Sequence, residues 1–108
     1  MALDFNNLFA QLKTEVIDLA KENFQDMVAE AAADGTTLLH TISDDLRRYT
    51  QELKDGDIDE DGFKLLLLGD KDLVEMNALT EAGLAQAQAD AFRTELFNGI
   101  INTVLAAI

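Results

Sequence analysis

Not one proline occurs in the 108 residues, and apolar side chains return at intervals of three and four along almost the whole chain. A chain without proline keeps every backbone N–H as a donor and sets no ring against a preceding turn, so long helices are unobstructed. The three-and-four spacing is that of one helical face. Ala, Leu, Gln, Glu and Asp also outnumber the β-branched and aromatic residues that pleated surfaces favour. The expected fold class is all-α.

Phe5, Phe9, Leu12, Val16, Ala20, Phe24, Met27 and Ala31, widened by Leu8, Leu19 and Val28, predict a first helix over about 4–33. Such a helix would reach roughly 45 Å, longer than a globule of this size is wide, which favours an elongated bundle or a dimer. Asp34 and Gly35 are the expected break. The alternative is one kinked rod, because the apolar phase continues and an internal glycine costs only about 1 kcal/mol relative to alanine. Leu39, Ile42, Leu46, Tyr49 and Leu53 predict a second helix over about 37–54.

Asp55 to Asp61 is a run of acids around Ile58 and reads as a connection. A short helix over about 60–68 follows, with Asp57 or Asp59 as its cap and Leu65 to Leu68 read as core. Beyond Gly69 and Asp70 the stripe Val74, Ala78, Ala82, Ala85, Ala89, Phe92, Leu96, Ile100, Thr103 and Ala107 predicts a helix over about 71–106. Its middle, Ala82 to Ala91 with Gly83, is small enough for another helix to approach closely. The whole is expected to be one domain, 1–108, folded as an elongated antiparallel helical bundle with two long terminal helices and two shorter middle ones.

Hydrophobic residues make up 48% of the chain and charged residues 27%, a globular composition. The formal net charge is −13, a field that repels nucleic acid phosphates and anionic lipid headgroups and favours partners with basic surfaces. The lack of cysteine removes thiolate chemistry. Met1 to Leu12 carries Asp4 and no basic region ahead of an unbroken apolar run, so no signal peptide is read there. No transmembrane segment is expected either, and the location expected is cytoplasmic.

Three constellations could carry chemistry. Asp57, Asp59 and Asp61, followed by Gly62, match the first half of an EF-hand calcium loop. The positions that should complete the cage are Leu65 and Leu68, so an acidic capping loop is the preferred reading and the three aspartates are only a weak metal candidate. Glu15, Asp18, Glu22, Asp26 and Glu30 would line one edge of the first helix, either as a solvated face or as a docking ridge. His40, with Ser43 and Asp44 nearby, resembles a hydrolytic group in composition alone, because side chains stacked along one helix edge supply no oxyanion hole.

No catalytic residue and no cofactor is therefore assigned. The expected function is a non-enzymatic, acidic protein-interaction or assembly module. Its assembly surface is placed on the apolar end of the last helix, Phe97, Ile101, Val104, Leu105 and Ile108, and its outward surface on the carboxylate row. A homodimer, or another protein with a basic surface, is the expected partner. The alternatives are an acidic inhibitor that mimics nucleic acid and a calcium-responsive protein using the Asp57 to Asp61 loop.

Overall fold

The computed structural model describes residues 4–108, apart from the side chain at position 72, so the first three residues of the Met1 to Leu12 stretch lie outside it. Among the described residues every regular element is helical: α1 (Phe5–Asn23), α2 (Val28–Lys54), α3 (Glu60–Gly69), a 3-10 turn (Asp70–Leu73), α4 (Asn77–Glu81) and α5 (Gln86–Ala107). They pack as an elongated bundle of 43 × 23 × 18 Å. The all-α bundle read from the sequence is the one found; the end of α2 at Lys54 and the span of α3 agree with expectation, while the first, second and last helices begin or end elsewhere.

Asp4 starts α1 by accepting the backbone N–H groups of Asn6 and Asn7. The helix ends at Asn23. Phe24 leaves the helical region (φ −136°, ψ 75°) and its carbonyl accepts the Met27 N–H at 3.2 Å, so that Phe24 to Met27 reverse the chain. The expected break at Asp34 and Gly35 does not exist, and neither does a kinked rod, because α2 runs straight through both residues. Gly35 is there for packing: a β-carbon on it would overlap the Val16 side chain, and Leu96 lies just beyond. The residue that reads as a helix breaker is a point of tight contact between α1 and α2.

Leu8, Leu12, Val16 and Ala20 of α1 meet Leu38, Leu39, Ile42 and Leu46 of α2 in the core, together with Leu96, Ile100 and Val104 of α5. α5 runs antiparallel to α1. Thr103 donates to Glu15 at one end, Gly99 sits beside Leu19, and Asn23 donates to Glu95 at the other end, where the Phe24 and Phe92 rings meet edge-on at 4.8 Å.

Two glycines in the left-handed region close helices. After α2, Gly56 (φ +81°) lets the Asp57 N–H reach Glu52 O and its own N–H reach Leu53 O. Asp59 then caps α3, accepting the Gly62 N–H at 2.7 Å, with Glu60 and Asp61 in the first turn where the dipole favours acids. After α4, Gly83 (φ +106°) repeats the pattern, Leu84 N–H to Leu79 O and Gly83 N–H to Thr80 O.

The helix expected over 71–106 is thus broken in two places. Val74 to Met76 lie outside any helix, held to α5 by the Arg93 Nη1 bond to Val74 O at 2.7 Å, and Ala82 to Ala85 form the turn before α5. Most of the small residues of that middle segment take no part in helix packing. Ala82, Gly83, Ala85, Ala87 and Ala91 are exposed, and only Ala89 enters the core. The longest helix is α2, not one of the terminal pair.

Candidate functional site

The apolar end of α5 is covered from within the chain. Phe97, Ile101 and Val104, expected on an assembly surface, are buried, Ile101 to 4% exposure. α1 takes one flank of α5 and α3 another, which is why side chains pointing in several directions are all enclosed. Leu105 is half-buried and Ile108 is the one of the five that is exposed, at the end of the chain. This corrects the placement of the assembly surface.

The carboxylate row is also divided. Glu15 turns into the seam with α5, where Thr103 donates to it, while Asp18 and Glu22 stay exposed on α1. Asp26 lies in the reversing turn and Glu30 in the first turn of α2, so the five acids do not share one helix edge. The reason is the turn at Phe24 to Met27, across which the spacing of three and four carries no meaning.

Asp57, Asp59 and Asp61 do different things. Asp57 donates its N–H to the α2 C-terminus, Asp59 caps α3, and Asp61 is exposed in the first turn. Among the described residues no group of three or more His, Cys, Asp or Glu side chains is placed to hold a metal ion. His40 lies on the exposed side of α2 against the Phe9 ring, centroids 5.9 Å apart, and the Ser43 hydroxyl donates to the His40 carbonyl oxygen. Among the described residues neither Ser43 nor Asp44 hydrogen-bonds the imidazole.

The surface that composition did not reveal is on α3. Phe63 and Leu67 are fully buried, but the other three leucines of the run expected in the core face outward: Leu65 is 74% exposed, and Leu66 and Leu68 are also exposed. Leu73, in the 3-10 turn, is 70% exposed. The signal was present in the sequence. Four consecutive leucines at about 100° per residue sweep most of the helix circumference, so a helix packed on one side cannot bury them all. Leu65 and Leu68 stand one turn apart on the outer face, and Gly69 beside them would have open space around a β-carbon.

No family model matches the chain, and no curated protein or solved structure matches it.

The C-terminal end of α3 carries a buried carboxyl. Asp70, at the junction of α3 and the 3-10 turn, is 6% exposed, and its Oδ2 has no hydrogen-bond partner among the described residues. Burial first, then the neighbouring Asp45 carboxylate of α2, push the Asp70 carboxyl up to about 6, against the opposing pull of Arg48. Arg48 itself pairs with Asp45 at 3.3 Å. Two carboxylates in that relation can share a proton. Substrate chemistry would further require access, and Asp70 is covered.

Proposed function

We propose that the protein is a non-enzymatic interaction module whose docking face is the outer side of α3 and the 3-10 turn after it. The observation that carries this reading is the exposure of Leu65, Leu66, Leu68 and Leu73 within nine positions. Single exposed leucines are ordinary, but several collected on one short helix and its continuation mark a surface that gains from being covered. Covering apolar surface is worth about 25 cal/mol per Å2, which the chain forgoes here although it buries Phe63 and Leu67 of the same helix completely. Assembly through α5 loses its motive, since Phe97, Ile101 and Val104 are enclosed without a partner. Among the described residues no helix is long and apolar enough to cross a membrane, so the leucine face does not belong to a spanning segment.

The test is a photoreactive residue placed at position 66 of the chain in its own cells, with and without the double substitution Leu65→Gln, Leu73→Gln. Discrete adducts that disappear with the leucines, while the thermal melt stays unchanged, are the expected result. Adducts that persist without the leucines, or a variant that melts far lower because those side chains were needed within the fold, would reject the reading.

A further inference from the structure

Resting on the docking reading above, we infer that the leucine face of α3 takes a basic amphipathic segment of another protein, apolar residues over the leucines and a cluster of lysine or arginine at the end lying over Asp55 to Asp61. The charge layout around the face carries this. The seven positions immediately before and into α3 hold five carboxylates, Asp55, Asp57, Asp59, Glu60 and Asp61, with Lys54 and Lys64 only at their borders. All five acids are exposed. Asp61 lies one helical turn before Leu65, so acid and apolar surface are continuous along the helix.

Like charges this close raise the free energy of the free protein, and a cationic partner relieves that cost while its apolar residues cover the leucines. The same charge disfavours the other occupants. A second copy of this chain would bring two acidic ends and a net charge of −13 from each protomer together. Anionic lipid and nucleic acid meet the same repulsion. Asp59 caps α3 and Asp55 accepts from the Gln51 side chain, so Asp57, Glu60 and Asp61 can be neutralised without removing either contact.

Fluorescence anisotropy with defined peptides tests the inference. The probe is a short helical peptide with leucines at three-and-four spacing and lysines at one end; its control carries glutamate in place of lysine. The protein variants are Leu65→Gln with Leu73→Gln, and Asp57→Asn with Glu60→Gln and Asp61→Asn, each first shown to keep the native circular dichroism melt. The native chain should bind the lysine peptide, with affinity falling as salt rises, and each variant should weaken binding by roughly tenfold or more.

Equal binding of the lysine peptide to native chain and leucine variant would reduce the contact to general charge attraction and overturn the proposal. If the glutamate peptide binds as well as the lysine peptide and depends on the leucines, the docking face stands and the basic partner falls. Leucine-dependent self-association, or leucine-dependent binding to anionic vesicles in place of the peptide, would assign the face to a second copy or to a lipid surface. Binding of neither peptide, vesicle nor second copy would remove the docking reading together with this one.

Discussion

Asp34, in the interior of α2, accepts the Leu79 N–H on Oδ2 at 2.8 Å and the Ala78 N–H on Oδ1 at 2.9 Å. Those two amides belong to the first turn of α4, whose own N-cap, Met76, offers no side-chain acceptor. A carboxylate from a helix more than forty residues earlier therefore does the capping. Asp34→Ala leaves both amides without it in a largely buried place. The expected loss is about 2–4 kcal/mol by urea denaturation, and Asp34→Asn, which keeps one acceptor oxygen, should lose about half as much.

Gly35 of α2 packs against the Val16 side chain of α1, with no room for a β-carbon between them. Gly35→Ala should destabilise by about 1–3 kcal/mol although alanine is the better helix former, because a methyl group must enter filled space. Adding Val16→Ala should make the double variant more stable than the sum of the two single losses, with a coupling of about 1 kcal/mol in a double-mutant cycle. Simple additivity would mean that the two positions do not touch.

The Asp70 carboxyl is raised to about 6 in the folded chain, so the folded state holds its proton more tightly than the unfolded state does. The associated stability is fully present below the ordinary carboxylate range near 4 and is lost as pH rises through about 6. Asp70→Asn removes that titration and can donate to Asp45. The variant should gain about 1–2 kcal/mol over the native chain at pH 7 and show little difference at pH 4, where the native acid is protonated anyway. The comparison between variant and native chain isolates Asp70 from the remaining acids, whose mutual repulsion also weakens as pH falls.

Helical faces were legible wherever the period stayed within one element. Leu12, Val16 and Ala20, then Leu39, Ile42, Leu46 and Tyr49, then Phe92, Leu96 and Ile100 all reach the core as their spacing predicts. The α3 start was legible too, from Asp59 and the acids after it. Phe24 and Met27 hid the reversal because they keep the spacing of three and four across a turn that contains neither proline nor glycine. Gly35 and Gly83 look alike in sequence, yet one is a packing contact inside a helix and the other sits at φ +106° and ends one. Leu79 followed at five residues by Leu84, with Gly83 between them, was the local cue for that second ending. By hydropathy alone Leu65 to Leu68 read as core, but a ten-residue helix packed on one side buries Leu67 and turns Leu65, Leu66 and Leu68 outward.

The Asp34 contact also orders events in time. α4 has five residues, far fewer than an isolated helix needs to persist in water, and the carboxylate that receives its first amides is positioned only once α2 has formed. The hairpin of α1 and α2 needs only local chain reversal at Phe24 to Met27, whereas closing Asp34 onto Ala78 and Leu79 must first bring distant parts of the chain together. The turn of helix at Asn77 to Glu81 is therefore a late arrival on folding. It is also an early departure on local opening, so the Ala78 and Leu79 amides should exchange with solvent before those of the buried stretch of α2.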